Sequence, residues 1–339
     1  MKAEAQVSIW AILWNNIKRW LPGLLISAVL LWLILRNITW SKVGEALSLI
    51  SPGTIILVIL LYYVSLSARV LCWHTLLQRK APFKRVFLVM GEGYLLNNIL
   101  PLRLGEVGRA VLLGKDKGMA IFKVLPTIVV ERAYDLAVAA TLLLTTLPLV
   151  LKMESSRPLA IGMLTLIVLG LIGLYWMARY RDRVESFAAR IGARWGFFTK
   201  WILPQVEAVL DGFAVLTRPQ YFILSLTMMV VSWGLALVQD YLILHSLVPT
   251  APIWWIGFVL SAGALGAAVP SAPAAIGVFE AAAVGALALV GMDANIAFTF
   301  AICVHLTSII FSSVVGVVGL VLEGESLTTL YQGLSSRKK

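Results

Sequence analysis

The sequence predicts an all-α fold, a polytopic integral membrane helical bundle. Of the 339 residues, 60% are hydrophobic and 13% are charged, and the mean hydropathy is +0.90. Soluble globular domains average about 45–50% apolar and about 25% charged residues, so lipid is the expected solvent for this chain. The apolar runs are apolar on all sides, whereas the strands of a membrane β-barrel alternate polar and apolar residues. Helices are therefore the predicted spanning elements.

The segments expected in the membrane fall into two halves, residues 20–178 and 219–325. Each segment is a run of apolar residues, and a helix needs about 20 of these to cross a hydrocarbon core about 30 Å thick. The segments are 20–36, 53–78, 83–100, 119–151, 158–178, 219–247, 252–269, 274–291 and 294–322.

Three regions are predicted to lie outside the hydrocarbon core. Residues 1–19 interleave tryptophans with polar residues, which is typical of an interfacial N-terminal helix. Residues 179–218 are mixed in charge and amphipathic at helical spacing. This pattern predicts cytoplasmic surface helices, with a small extramembrane domain as the alternative. Residues 326–339 form a basic tail that is expected in the cytoplasm.

The distribution of basic residues predicts the topology, because Lys and Arg concentrate in cytoplasmic loops. If residues 83–100 crossed the membrane fully, the basic segments that follow would lie outside. If residues 83–118 form a re-entrant element instead, four of the 28 Lys and Arg residues lie outside: Arg36, Lys42, Lys152 and Arg157. The sequence therefore predicts a multi-pass protein of the cell (cytoplasmic) membrane, with both termini in the cytoplasm. The net charge of +11 is assigned to this topology and not to nucleic-acid binding.

A second broken element is predicted over residues 252–291. If the C-terminus is cytoplasmic, segments 252–269 and 274–291 either both span the membrane or both re-enter it. The break between them, "GAAVPSAPAAIGVFE", is rich in Pro, Gly and Ala, which suits a re-entrant pair. Its residues echo those of the first element, and this points to a possible inverted repeat. The echo pairs Pro101, Gly105 and Glu106 with Pro270 or Pro273, Gly277 and Glu280.

Ionisable groups inside apolar spans cost about 2.5–3.5 kcal/mol each on insertion scales, so each is expected to have a partner or a function. In "VVERAYD", Glu131 and Asp135 share a helix face, and Arg132 can pair with Asp135. The excess carboxylate predicts a cationic partner, namely Arg69, Arg103 or Arg109. The other ionisable groups of this kind are Glu92, Asp240, His245, Glu280 and His305.

The stretch "NNILPLRLGEVGR" indicates an anion site next to these charges. Arg103 and Arg109 can each present paired donors to a phosphate, and Asn97 and Asn98 can add amide donors. Two structural alternatives remain open: the charges form a buried network that holds the bundle together, or the arginines only reach out to lipid phosphates.

Motifs of soluble enzymes are missing from the sequence. It contains no P-loop, no HExxH and no GxSxG pattern. Its three histidines and its two cysteines, Cys72 and Cys303, are far apart, so a metal site is not expected. The sequence therefore predicts a protein that is not an enzyme and that uses no cofactor.

Two stretches resemble the signatures of a known family, the membrane region of lysylphosphatidylglycerol synthases and their stand-alone, flippase-like relatives. The first is "GEGYLLNNILPLRLGEVGRAVLLGKDKGMAIFKVLPTIVVERAYDLAV", residues 91–138. It matches at Gly93, Asn97, Pro101, Arg103, Gly105, Glu106, Arg109, Leu113, Glu131, Arg132 and Asp135. The second is "VPSAPAAIGVFEAAAVGAL", residues 269–287, which matches at Pro270, Pro273, Gly277, Phe279 and Glu280.

The chain departs from the family pattern at two places. Ala274 and Ala275 stand where the second signature usually has a glycine pair, and His305 aligns where the last helix commonly carries an arginine. Histidine titrates near neutral pH, which makes a proton-linked role conceivable there. The chain ends at Lys339 without the aminoacyltransferase domain of full-length synthases, so a stand-alone member is expected.

The resemblance implies a lipid flippase or transporter, in which re-entrant loops line a polar cavity for an anionic lipid or lipid-linked head group. The alternative is a membrane-embedded enzyme that binds polyprenyl phosphate, or an accessory subunit of a glycosyl or aminoacyl transfer pathway. The expected partners are membrane lipids, phospholipid or polyprenyl phosphate, and a homo-oligomer is a candidate assembly.

Each candidate residue has an expected role in this hypothesis. The expected phosphate ligands are Arg103, Arg109, Asn97 and Asn98. Glu106, Glu131 and Asp135 would position the arginines or bind an amine, and Arg132 and Arg69 would balance the buried carboxylates. Glu280 would be the matching acid of the second element. The hinge and loop residues are Pro101, Gly105, Pro270, Pro273 and Gly277, and the secondary residues are Arg69, Glu92, Asp240 and His305.

Overall fold

A computed structural model of the chain describes residues 9–100, 103–115, 119–151, 179–192, 213–269 and 271–324, with scattered positions between 158 and 176 and at 203 and 210. These residues form helices α1 (Ile9–Leu35), α2 (Trp40–Ser48), α3 (Pro52–Leu76), α4 (Phe83–Ile99), α5 (Leu104–Leu113), α6 (Ile121–Leu151), α7 (Arg181–Gly192), α8 (Pro219–Leu247), α9 (Trp254–Ala267), α10 (Val278–Leu289) and α11 (Ala294–Glu323). Short 3₁₀ turns lie at Ala214–Thr217 and Pro273–Ala275. No strand occurs in this part of the chain, so the all-α prediction is confirmed.

In the part of the chain that the structure describes, four helices are long and apolar enough to cross a membrane, namely α3, α6, α8 and α11. Residues Leu21–Leu35 of α1 and helix α2 are bent by 84° and form a fifth span if they act as one broken segment. These bounds agree with the predicted segments, and the chain is therefore a multi-pass membrane protein. The proposed hinges Pro101 and Pro270, the tail 326–339 and most of 152–178 and 193–212 lie outside the described residues.

The predicted N-terminal helix and the first predicted span form one continuous helix, and the interfacial position of residues 1–19 stays a prediction. Helix α1 runs without a break from Ile9 to Leu35, across the predicted boundary at residue 19. Helix α2 was not predicted, because its nine residues are too few to give a clear apolar run. It is amphipathic and buries Val43 and Ala46, which are spaced by about one helical turn.

Polar caps mark the ends of two long helices. Ser51 accepts a hydrogen bond from the backbone N–H of Thr54 at 3.1 Å, and Pro52 takes the first helical position of α3. Asp293 caps α11 and accepts hydrogen bonds from the backbone N–H groups of Asn295 and Ile296. Burial alone would raise the pKa of Asp293, but hydrogen bonds from the Asn295 side chain and from these N–H groups hold it below its ordinary value.

Two helical hairpins replace long helices where the sequence breaks. Helices α4 and α5 form the first hairpin, and α9 and α10 form the second. Their lengths, 17, 10, 14 and 12 residues, correspond to about 25, 15, 21 and 18 Å at about 1.5 Å per residue. Each of these helices is therefore shorter than a hydrocarbon core of about 30 Å.

Each hairpin packs against the long helix that follows the other hairpin. Helix α4 of the first hairpin packs against α11, and α9 of the second hairpin packs against α6. Glycines allow the first contact: a Cβ built on Gly316 would lie 2.6 Å from the carbonyl oxygen of Gly91. Helices α3 and α8 pack against each other. This arrangement encloses a space between the two hairpin tips, lined by both polar and apolar side chains.

Candidate functional site

A cavity of about 700 Å³ lies where the two hairpin tips approach each other. Its walls come from α3, α4, α5, α6, α8, α9, α10 and α11, and from the 3₁₀ turn Pro273–Ala275. The predicted site residues that line it are Arg69, Asn97, Asn98, Arg103, Glu106, Arg132, Asp135, Asp240 and His305. The structure thus brings residues of both predicted signatures to one space.

Glu131 lies at the centre of a buried charge cluster. Its carboxylate is 2.9 Å from Arg109 Nη1 and 2.6 Å from Arg132 Nη2, and Arg69 Nη1 is 3.7 Å away. The Glu131 side chain is fully buried. Three guanidinium groups therefore surround one carboxylate, and this arrangement offsets the cost of burying it.

Asp135 joins the same cluster one helical turn later on α6. Arg69 Nη1 lies 2.8 Å from its carboxylate, and Arg132 Nη1 lies 3.0 Å from it. The indole Nε1 of Trp233 on α8 donates a hydrogen bond to Asp135 at 2.9 Å. Helices α3, α6 and α8 are thereby connected through one carboxylate.

We call Arg69, Arg103, Arg109, Arg132, Glu106, Glu131 and Asp135 the arginine cluster. Its four guanidinium groups outnumber its three carboxylates, so the ionised cluster carries one net positive charge. The excess carboxylate that "VVERAYD" suggests in isolation becomes an excess of positive charge once the neighbouring arginines are included. An anion is the ligand that this surplus favours.

The two arginines of "LPLRLGEVGR" have different environments. Arg109 has a side-chain exposure of 2%, lies behind the cavity wall, and places its guanidinium 4.7 Å from the ring centroid of Trp73. Arg103 has an exposure of 42% and faces the cavity. The expectation that both arginines present donors to one phosphate therefore applies to Arg103 but not to the buried Arg109.

Arg103 also connects the two hairpins. Its Nη2 donates a hydrogen bond to the carbonyl oxygen of Ala267 at 2.8 Å, at the end of α9. Carbonyl groups at a helix C-terminus lack an intrahelical partner, so they accept such a donor readily. Glu106 lies 3.9 Å from Arg103 and 3.7 Å from Arg132, between the tip of the first hairpin and α6.

The two asparagines hold helices in place. The Oδ1 of Asn97 accepts a hydrogen bond from the backbone N–H of Gly105 at 2.7 Å, which closes the first hairpin. The Nδ2 of Asn98 donates to the hydroxyl groups of Ser312 and Ser313 on α11, each at 3.0 Å. The Asn98 bonds use amide donors that the sequence assigned to a phosphate shell, whereas the Asn97 bond uses the amide oxygen as an acceptor.

In the second hairpin, Glu280 and His305 meet. Their Oε1 and Nδ1 are 2.6 Å apart, and Glu280 Oε2 accepts the backbone N–H of Gly277 at 2.6 Å. The other ring nitrogen, Nε2 of His305, lies 2.9 Å from the carbonyl oxygen of Ala274. Because a carbonyl oxygen only accepts, Nε2 carries a hydrogen and donates it. His305 on α11 thus binds both the turn Pro273–Ala275 and helix α10, which follows that turn.

The two departures from the family pattern are therefore in contact. Ala274 and Ala275 have φ values of 56° and 58°, and Gly277 has a φ of 87°. L-residues pay about 1–2 kcal/mol for the left-handed region, which glycine enters freely. A glycine pair suits this loop on backbone grounds, and His305 stabilises it where alanines are present.

The remaining secondary residues have different positions. Glu92 is buried between α4 and α11, where its carboxylate lies against Gly319, and it does not line the cavity. Asp240 lines the cavity and is 4% exposed. Among the described residues, no group of three or more His, Cys, Asp or Glu side chains could hold a metal ion.

The sequence analysis did not single out several polar aromatic residues of the site. Tyr62, Tyr94 and Trp233 line the cavity, and Trp73 covers Arg109. Each lies within a helical segment, where an aromatic side chain is ordinarily part of the core. A tryptophan whose N–H needs a partner inside an apolar span is the one signal that could have indicated Trp233.

Comparison with known proteins gives one match. The family described as the lysylphosphatidylglycerol synthase TM region matches residues 20–316, which include both hairpins and the whole arginine cluster. No curated protein and no solved structure matches the chain significantly.

Proposed function

The chain belongs to the lysylphosphatidylglycerol synthase TM region family, and on this basis we propose that it moves an anionic lipid, or a lipid-linked head group, between membrane leaflets. The phosphate binds at the arginine cluster, and the acyl or prenyl chains remain in the surrounding lipid. The observation that carries this proposal is a net positive cluster facing a cavity of about 700 Å³ inside a membrane protein.

Arg103 is the main phosphate ligand in this proposal. It is the most exposed arginine of the cluster and presents a charge-assisted donor to the cavity. Arg132 of α6 and Arg69 of α3 add positive charge to the cavity wall. The buried ion pair between Arg109 and Glu131 stabilises that wall without lining the cavity. Apolar side chains such as Leu136 and Ile309 line other parts of the cavity.

Two re-entrant hairpins that enter from opposite faces would give access to each leaflet in turn. Short helices support this topology, and so does the crosswise packing, in which each hairpin contacts the long helix that follows the other hairpin. The glutamates of the sequence echo also correspond: Glu106 contacts Arg132 on α6, and Glu280 contacts His305 on α11. These relations support the possible inverted repeat that the sequence echo suggests.

The re-entrant topology predicts the side from which Lys115 is accessible. In a variant with Cys72 and Cys303 replaced by alanine, Lys115→Cys is expected to react with an impermeant maleimide in inverted vesicles but not in intact cells. Lys42→Cys in α2 is the matched control and is expected to react in intact cells. Labelling of the Lys115→Cys variant from outside would show that α4 crosses the membrane.

Arg103→Gln is expected to slow lipid movement by about tenfold or more, since a hydrogen bond to a charged group contributes about 1.5–3 kcal/mol. The measurement uses purified protein in liposomes with a trace of fluorescent phosphatidylglycerol, whose outer-leaflet fraction is quenched by dithionite. Arg183→Gln on α7, away from the cavity, is the matched control and should leave the rate unchanged.

The same liposomes test the alternative. If the wild-type protein moves neither phosphatidylglycerol nor a polyprenyl phosphate, and turnover begins only when an activated sugar or aminoacyl donor is added, the site serves group transfer and the transport proposal is wrong. Equal rates for wild type and Arg103→Gln would remove Arg103 from the phosphate site.

A further inference from the structure

Asp240 is the acidic group of the cavity that the phosphate site does not use. It lies within the apolar span α8, lines the cavity and is 4% exposed. Its one hydrogen bond among the described residues is long, 3.4 Å from the amide of the adjacent Gln239. A carboxylate in this position has lost most of its hydration, and one long hydrogen bond compensates little of that cost.

The charged groups around Asp240 are engaged elsewhere. Helix α3 contributes Arg69, which pairs with Asp135 of α6, and Arg132 of α6 pairs with Glu131 and Asp135. Helix α11 contributes His305, which pairs with Glu280 of α10. Helix α9 and the turn Ala214–Thr217 also pack against α8 and contain no titratable residue. No Lys, Arg or His nitrogen in the described part of the chain lies within 4 Å of Asp240.

Among the described residues, no side chain therefore neutralises Asp240. A divalent metal ion would require several oxygen ligands, and no cluster of three acidic, His or Cys side chains occurs among the described residues. A proton requires only the one carboxyl group, and the cavity connects that group to the space where the lipid head group binds. Ionisable carboxyl groups within membrane spans mark ion pathways and proton relays.

We propose that Asp240 binds and releases one proton in each transport cycle, and so couples lipid movement to a proton gradient. The O–H bond forms with a proton from water on one side of the membrane and breaks when that proton returns to water on the other side. The inference rests on the proposed function and adds its driving force. Protonation removes the negative charge of Asp240 from the cavity wall, and an anionic head group then passes a neutral side chain.

The test measures how far the labelled lipid accumulates in one leaflet, and not how fast it moves. Wild-type protein is placed in phosphatidylcholine liposomes with phosphatidylglycerol, partly fluorescent, as a minor component, and the membrane potential is held at zero with K⁺ and valinomycin. A difference of one pH unit is then expected to drive the label toward a leaflet ratio of about tenfold, the value for one proton per lipid. Asp240→Asn is expected to reach an even distribution, whatever its rate.

Two further variants complete the design. Asp240→Glu keeps the carboxyl group and should still accumulate label, and Asp293→Asn, at the cap of α11 outside the cavity, should accumulate label as the wild type does. The inference is overturned if the wild type moves lipid but only to an even distribution, if a Na⁺ difference replaces the pH difference, or if Asp240→Asn accumulates label. If Asp240→Asn does not fold, a Glu variant that moves lipid without accumulation overturns it. No movement by the wild type overturns the proposed function itself.

Discussion

Glu131→Gln is expected to lower the free energy of unfolding by about 3–5 kcal/mol, the range measured when one partner of a buried ion pair is removed. The change leaves Arg109 and Arg132 without their shared counterion, and Arg109 is buried too deeply for water to compensate. Because the neutral amide has about the same volume as the carboxylate, the loss of stability arises from the lost charge and not from changed packing. Chemical denaturation in detergent, followed by near-UV circular dichroism, measures the effect.

The control for this change is an ion pair of the same chemistry at the surface. Glu185 pairs with Arg181 on α7 at 3.8 Å, and both side chains are more than 30% exposed. Glu185→Gln is expected to cost at most about 1 kcal/mol. A second Glu131→Gln variant that also carries Arg109→Met should recover part of the loss, since it removes the buried charge left behind. If Glu131→Gln costs no more than Glu185→Gln, the cluster is not the electrostatic core of the bundle.

The long helices could be predicted from the sequence because the apolar length of a span is a local property. The ends of α3, α8 and α11 agree with the predicted segments within a few residues. The breaks that produce the hairpins were also local, since they follow Pro, Gly and polar residues. Helix α2 is the exception, because a nine-residue amphipathic helix gives no run that stands out from a loop.

The environment of each arginine could not be predicted, because it depends on contacts between distant segments. Arg103 and Arg109 are close in sequence, yet one faces the cavity and the other is buried against Trp73. Arg103 precedes α5 in a left-handed backbone conformation with a φ of 53°, whereas Arg109 lies within α5 and packs against Gly93 of α4. Trp233, which is 98 residues from its acceptor Asp135, had no sequence signal that pointed to that partner.

The charge of the site changed sign between sequence and structure for the same reason. The segment "VVERAYD" alone carries one net negative charge, and only the folded chain adds Arg69, Arg103, Arg109 and Glu106 to it. The structural and functional alternatives from the sequence are therefore not exclusive. The buried half of the cluster, around Glu131, holds helices together, and the exposed half, at Arg103, faces the cavity.

Gly105→Ala tests whether the close contact between α4 and α5 places Arg103 at the cavity. A Cβ built on Gly105 overlaps the carbonyl oxygen of Gly93 and lies 2.7 Å from Oδ1 of Asn97, so α5 must move away from α4. This movement displaces Arg103 from Ala267 and breaks the bond between Asn97 and the Gly105 N–H. We expect a loss of stability of about 1–3 kcal/mol, as for overpacked cores, together with loss of lipid movement.

Gly234→Ala is the matched control for Gly105→Ala, because it makes the same chemical change inside α8 at a position with no neighbouring atom within 4 Å. Since alanine favours a helix over glycine by about 0.8–1 kcal/mol, this control is expected to be as stable as the wild type or slightly more stable. Denaturation in detergent and the dithionite assay are applied to both variants. If Gly105→Ala keeps both the stability and the transport rate of the control, the close contact between α4 and α5 does not position Arg103, and the cavity wall forms without it.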